Sequence, residues 1–251
     1  MAGTALLGRL TWRLGTVVAL RDETSTVRTI VLDVPDWPGH RPGQHVDVRL
    51  TAEDGYEAER SYSIASPPHQ EQVELTVERL PDGEVSSYLV GELREGDRFE
   101  LRGPIGGYFV WDAADTAPLL LVAGGSGVVP LMCMLRHRAA VGAHPPTRLL
   151  YSARTLGDVI YQAELDELAQ SDAGPEVVPT LTGATPAGWT GYARRIDERM
   201  LAEVAWPAAQ RPATFVCGPT PLVESVARDL VRLGHEPGSV KTERFGPTGG
   251  A

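Results

Sequence analysis

The chain has 251 residues, 42% hydrophobic and 22% charged, with a formal net charge of -10 and only two cysteines. This is ordinary globular material, long enough for one large domain or two smaller ones, and its acidic balance argues against a general nucleic-acid binder, which needs basic side chains to spare on at least one face. Cys133 and Cys217 are too few for a disulfide framework or for the four thiolates of an ordinary iron-sulfur cluster, so redox chemistry here is expected to use another cofactor.

At the N-terminus, Arg9 interrupts "ALLGRL" before a signal-peptide core develops, and the longest uncharged apolar run, "APLLLVA" at 117–123, is far too short to span a bilayer. The expectation is a soluble, cytoplasmic protein. From Leu10 to Phe109 short β-branched runs such as "TVRTIVLDV", "GQHVDVRL", "QVELTVERL" and "DRFELRG" are separated by turn residues, an all-β texture. One stretch in it is unusual: "RSYSIAS" at 60–66 crowds a guanidinium, a phenol and three hydroxyls into a strand. Alternation puts Arg60, Tyr62, Ile64 and Ser66 on one face and Ser61, Ser63 and Ala65 on the other. After the turn "PDG", residues 84–93 "EVSSYLVGEL" carry helical apolar spacing at Val85, Leu89 and Val90, which predicts a short helix opened near Ser86 and Ser87, positions where a hydroxyl can cap.

Pro and small polar residues between Asp112 and Pro118 mark a linker, which divides the chain into domains 1–113 and 114–251. Beyond it, strands "LLLVA", "TRLLYSA", "EVVPTL" and "ATFVCG" alternate with the helical stretches "VVPLMCMLRHRAA", "AELDELAQ" and "PLVESVARDLVRL", the pattern of a parallel sheet wrapped by helices. The run "LLLVAGGSGVVPLMCMLR" is strand, glycine turn, helix. Gly124, Gly125 and Gly127 would let a pyrophosphate approach the backbone at the helix N-terminus, with Pro130 at an early helical position that tolerates a missing N–H. Glycines also tighten strand-helix junctions that bind nothing, and the spacing is not the G-x-G-x-x-G of ordinary dinucleotide-binding dehydrogenases. Two further strands end in Ser152 and Arg154 and in Cys217, Gly218 and Pro219, at the carboxyl ends where open parallel sheets bind ligands.

Competing chemistries fail on inspection. Val128 stands where a nucleophile elbow needs glycine, so Ser126 is not a hydrolase nucleophile. The six histidines, His40, His45, His69, His137, His144 and His235, show no metal-ligand spacing, and Glu164, Asp166 and Glu167 read as the solvated face of a helix.

Taken in order, "RSYS", "GEVS", "GGSGVVP", "CGP" and "ERF" resemble the motif series of the ferredoxin-NADP reductase family of flavoproteins across nearly the whole chain. The resemblance implies an antiparallel Greek-key β-barrel that binds FAD, followed by an α/β domain with a five-stranded parallel sheet that binds NADP(H) or NAD(H). It assigns Arg60 to the FAD pyrophosphate, Tyr62 to the isoalloxazine face and Ser63 to the vicinity of N5. Gly83, Val85 and Ser86 would share the pyrophosphate, and Ser61, Thr76, Val77 and Glu78 join the cofactor-binding set. Gly124, Gly125, Gly127 and Pro130 would take the nucleotide pyrophosphate, while Cys217, Gly218 and Pro219 border the nicotinamide. Ser63, Cys217, Glu243 and Phe245 are the implied catalytic set, with Phe245 covering the flavin. Phe245 departs from the family pattern in having six residues after it, and "VKTERF" also reads as an ordinary core strand.

The implied activity is hydride transfer from the nucleotide to FAD and onward transfer of electrons. Two cysteines leave no room for a fused iron-sulfur domain in this chain, so the acceptor is expected to be a separate protein, a ferredoxin, an oxygenase or another redox component. A free-flavin reductase and a non-catalytic FAD-binding electron-transfer subunit are the alternatives. Ser152 and Arg154 just past a parallel strand, where an acidic residue would instead hold a ribose 2′-hydroxyl, favour NADPH, with Arg195 a possible helper.

Overall fold

The computed structural model describes residues 10–245, so the Arg9 reading and the residues after Phe245 lie outside it. The first half holds strands β1 (Trp12–Asp22), β2 (Val27–Asp33), β3 (His45–Thr51), β4 (Glu57–Ser63) and β5 (Val73–Glu78), helix α1 (Glu84–Gly91) and strand β6 (Arg98–Ile105). All the pairings are antiparallel, in the order β4-β3-β6-β1-β2-β5, and a bridge between Ile64 and Leu75 joins the two ends into a Greek-key barrel. Period-two alternation builds its core: along β3, Val46 and Val48 point inward while His45, Asp47 and Arg49 face out. Ile30, Leu32, Leu75, Val77 and Leu101 complete the interior, and α1 caps one end through Val85 and Leu89.

The second half holds β7 (Leu119–Gly124), α2 (Val128–Ala140), β8 (Thr147–Ala153), α3 (Gln162–Gln170), β9 (Glu176–Leu181), α4 (Glu198–Val204), β10 (Ala213–Pro219), α5 (Thr220–Arg232) and β11 (Val240–Phe245). Its five strands are all parallel, in the order β11-β10-β7-β8-β9. β7 is buried on both faces, as a central parallel strand must be. Leu119, Leu121 and Ala123 pack with α2 and α3, while Leu120 and Val122 pack with Met200 and Leu201 of α4 and Val226 and Leu230 of α5. The sequence reading did not single out α4, a helix of under two turns; its start is fixed by Asp197, whose carboxylate accepts the Met200 amide at 2.8 Å.

Between the halves, Asp112 and Asp115 each accept the amide two residues on, at 2.9 Å, the turn chemistry of short acidic side chains. The halves are not independent bodies joined by this segment alone. One apolar cluster runs from Val27 and Ala65 of the barrel side through Phe109 and Trp111 into Leu121, Val128 and Phe215 of the second half. Phe109 meets Phe215 edge to face with ring centroids 5.3 Å apart. Among the described residues no helix is long and apolar enough to cross a membrane.

Candidate functional site

Ser61 and Ser63 share one outward face of β4, yet their surroundings are opposite. Ser61 is exposed and donates to Asp47 Oδ1 at 2.7 Å, and Asp47 in turn accepts from Arg102 at 2.7 Å, so this hydroxyl belongs to a polar network on the barrel exterior. Two residues on, Ser63 is buried, and its hydroxyl has no hydrogen-bond partner among the described residues. Ser63 pairs in register with His45 on β3, whose Nδ1 lies 3.8 Å from Glu243 Oε1 on β11. Glu243 pairs with Cys217 at the end of β10. The His45–Glu243 approach thus brings the Ser63–His45 pair of the barrel toward the Cys217–Glu243 pair of the parallel sheet. His45 joins them, although the sequence reading considered it only as a metal ligand; the signal was its position, opposite Ser63 once β3 and β4 pair.

Burial sets the protonation of this cluster. It pushes the Glu243 carboxyl up to about 7 and leaves Oε2 without a partner. It lowers the His45 imidazole, against the opposing pull of Asp47. It raises the Cys217 thiol well above its usual value, helped by the Glu243 charge, so Cys217 stays a protonated thiol. At 3.8 Å the His45 and Glu243 pair exceeds hydrogen-bond distance, and burial shifts both partners toward their uncharged forms, which weakens it as an ion pair.

On the other face of the strand, Tyr62 is half-buried against the barrel core, and burial lifts its phenol to about 12. Arg60 is exposed and donates only to the Glu59 carbonyl at 2.6 Å; no carboxylate neutralises it among the described residues. Helix α1 opens at Glu84, with Gly83 as its N-cap and no side-chain cap, so the expected capping by Ser86 or Ser87 is not what starts it. Instead Ser86, the third helical residue, folds back: its hydroxyl donates to Gly83 O at 3.2 Å and accepts Leu80 N at 3.1 Å. A Cβ at Gly83 would lie 2.3 Å from that oxygen, which is why glycine stands there. The amides of Glu84, Val85 and Ser86 have no partner among the described residues, the condition in which a helix N-terminus accepts an anion.

The expected β5 contacts are partly spoken for. Val77 lies in the barrel core, and the Thr76 hydroxyl shares a hydrogen bond with Thr29 at 2.7 Å and accepts another from Tyr161. Glu78 is half-buried, and its Oε2 lies 3.9 Å from a Cβ placed on Gly125.

At the glycine turn the three glycines do different work. A Cβ at Gly127 would sit 2.2 Å from Cys217 O, and one at Gly124 would sit 2.7 Å from Leu222 Cδ1, so both are needed for β7 and its turn to pack against β10 and α5. Gly125 has φ 53° and open space before it, and it is the one presented outward. Pro130 is buried in the first turn of α2. Gly218, at φ 152°, and Pro219 press against Gly124. Ser152 pairs with Gly124 at the end of β8, while Arg154 just beyond is exposed with no side-chain partner among the described residues. The nearest acid after that strand, Asp158, is occupied by its own turn, where it accepts from Thr155 N at 3.0 Å and Thr155 Oγ1 at 2.7 Å. Phe245 ends β11 opposite Pro219 and packs half-buried on the core of the second half.

An orphaned hydroxyl at Ser63, an unneutralised Arg60 beside free helix amides, and an open Gly125 at a second helix start fit a flavin with its pyrophosphate on one side and a nicotinamide nucleotide on the other. Residues 15–110 match the oxidoreductase FAD-binding domain family, and residues 121–228 match the oxidoreductase NAD-binding domain family. The glycine betaine monooxygenase reductase subunit of Pseudomonas aeruginosa (strain UCBPP-PA14) is 33% identical over 238 residues, covering 92% of this chain and 63% of that protein. The reductase component of propane 2-monooxygenase from Mycolicibacterium goodii is 30% identical over 216 residues, covering 83% of this chain and 60% of that protein. The chain therefore spans less than two thirds of the length of these relatives. Among solved structures, an Amycolatopsis cytochrome P450 reductase superposes with a TM-score of 0.82 at 26% identity, covering 95% of this chain and 71% of that one.

Two outcomes follow from the burial of this cluster. A carboxyl with a raised pKa binds its proton more tightly in the folded than in the unfolded chain, so Glu243 costs stability as pH climbs from 4.5 through about 7. Glu243→Gln should melt with the wild type near pH 4 and exceed it near pH 8 by an amount on the order of 3 kcal/mol; thermal melts whose difference stays constant across pH would contradict this. Ser63→Ala removes a buried, unpaired hydroxyl, so the cofactor-free chain should be as stable as the wild type or more so, while flavin affinity falls roughly fivefold. Unchanged affinity in a fluorescence titration would show that this hydroxyl never meets the flavin.

Proposed function

The chain belongs to the ferredoxin-NADP reductase family of FAD- and NAD(P)-binding oxidoreductases, and from that premise we propose that it takes hydride from NADPH and delivers the electrons to a separate acceptor protein. The observation that carries this reading is the approach of His45, paired with Ser63 on the barrel, to Glu243, paired with Cys217 on the parallel sheet, which puts residues of both halves where a flavin and a nicotinamide would meet. Residues 1–113 act as the FAD-binding domain and residues 114–251 as the NAD(P)-binding domain.

When bound, FAD supplies the hydride acceptor and the means to pass electrons on singly or in pairs; the protein supplies binding, orientation and electrostatics. Arg60 and the free amides of α1 neutralise the FAD pyrophosphate, with Tyr62 against the ring face and Ser63 hydrogen-bonded at its reactive edge. The glycine turn before α2, at the open Gly125, would receive the nucleotide pyrophosphate. Cys217, kept as an uncharged thiol, and Gly218 would border the nicotinamide, and Phe245 would cover the flavin. Glu243 and His45, where the halves meet, help to exclude water from the reacting atoms.

The acceptor is an oxygenase component or a ferredoxin-type carrier. The reductase parts of monooxygenases among its relatives support this. The protein works in the cytoplasm. Freshly purified protein should release about one FAD per chain on denaturation, on the one-site reading, and should reduce artificial acceptors steadily with NADPH. Release of FMN, or of no flavin at all, would sink the proposal.

The preference for NADPH rests on Arg154, exposed and unpaired past β8, beside Ser152 and with Asp158 turned to its own capping box. A charge-assisted contact to the 2′-phosphate contributes roughly 1.5–3 kcal/mol, or about ten- to hundredfold in affinity. Arg154→Ala should raise the apparent KM for NADPH by that factor and leave NADH almost untouched. An equal loss with both nucleotides would make Arg154 structural.

A further inference from the structure

Helix α2 begins at the glycine turn and runs away from it toward the barrel, and its middle is fastened there. Cys133 and Arg136, three residues apart, lie on one face of the helix. The Cys133 thiol donates to Ser66 O at 3.0 Å. Arg136 Nη1 donates to Ala65 O at 2.9 Å and to Glu74 Oε2 on β5 at 3.1 Å, while Nε and Nη2 grip both oxygens of Glu164 on α3 at 2.7 and 2.6 Å. Its guanidinium also lies over the Tyr161 ring, 4.9 Å from the centroid, and Tyr161 itself donates to Thr76 of β5. Neither end of this clamp is loose: the Arg136 and Glu74 side chains are 12% and 7% exposed.

The clamped segment is the continuation of β4. Ala65 and Ser66 follow Ser63 by two and three residues, and they are tied to β5 by Ala65 N to Glu74 O at 2.8 Å and Glu74 N to Ser66 Oγ at 3.0 Å. His40 Nε2 adds a contact to Ser66 O at 2.8 Å. At 1.5 Å per residue, Arg136 sits roughly 14 Å along the helix from Gly127. One rigid rod therefore has its N-terminus at the nucleotide turn and its middle bolted to the strand that presents Ser63.

We propose that Arg136 is a positioning residue: by clamping α2 to Ala65 and Glu74 it sets the separation between the nucleotide-binding turn and Ser63, and so governs how fast hydride passes between cofactors it does not touch. This rests on the function proposed above. The fork geometry matters, because Arg136 spans a backbone carbonyl and two carboxylates at once, which a lysine ammonium cannot match.

The test uses the FAD-loaded protein in three forms: wild type, Arg136→Lys, and the triple variant Arg136→Met, Glu74→Gln, Glu164→Gln, which strands no buried charge. Misplacement of about an ångström between reacting groups costs up to about a hundredfold in rate. The single-turnover rate of flavin reduction by NADPH should therefore fall between about tenfold and a hundredfold in the triple variant and less in Arg136→Lys. Flavin content and the calorimetric affinity for ADP-ribose should stay within about twofold of the wild type, because the site on each half is intact. Hydrogen exchange gives a readout apart from turnover: ADP-ribose should protect the amides of Ile64 to Ser66 in the wild type and fail to do so in the triple variant. Unchanged reduction rates, or a loss of rate matched by an equal loss of ADP-ribose affinity or flavin, would overturn the positioning role. A wild-type protein that holds FAD but is not reduced by NADPH would instead overturn the proposed function, and the positioning role with it.

Discussion

The start of β3 meets β11 where His45 approaches Glu243, and the candidate site depends on the two halves being held there. Neither half contains the site. The barrel contributes Ser63 and His45, and the parallel sheet contributes Cys217 and Glu243. What holds them is a shared apolar cluster around Phe109, Val128 and Phe215, flanked by polar ties on both sides. On one side Lys241 donates to Val110 O at 2.9 Å; on the other lies the Arg136 clamp.

The same contact fixes the electrostatics. Desolvation is the first cause of the shift at His45, Cys217 and Glu243, and in each case it favours the uncharged form. Hydride transfer is favoured where water is excluded, and the burial that shifts these groups also keeps bulk water from the place where they meet. The groups suited to phosphate recognition lie further out, in exposed Arg60 and Arg154, in the free amides at the start of α1 and at the open Gly125. Neutral chemistry at the centre and charge at the rim are both consequences of where the two halves touch.

Much of this was legible in the sequence, because it is local. Strand alternation around "RSYS", the short helix after "PDG" and the strand-turn-helix at 119–140 depend on periodicity and turn residues, and the structure has them in those places. The sequence could not show that Ser61 and Ser63, on one face, would part company, since tertiary packing decides which of them is covered. Nor could it separate Gly127, needed for packing on Cys217, from Gly125, left open to a ligand. Ser86 looked like a cap and proved to be an internal brace. Arg136, one arginine among many, gains meaning only from contacts to residues more than sixty positions away. Element identity is written in short-range pattern, while the work of a given hydroxyl, glycine or guanidinium is written in tertiary contact.

The central claim is that the two halves bring a nicotinamide and a flavin together for direct hydride transfer. Anaerobic titration of the purified, flavin-loaded protein with NADPH, in the absence of any acceptor, tests it most directly. The account predicts that the oxidised flavin absorption is bleached with a stoichiometry of about one nucleotide per flavin, two electrons carried by each hydride. A flavin spectrum that stays oxidised in the presence of excess NADPH and NADH, in protein that binds ADP-ribose, would contradict it.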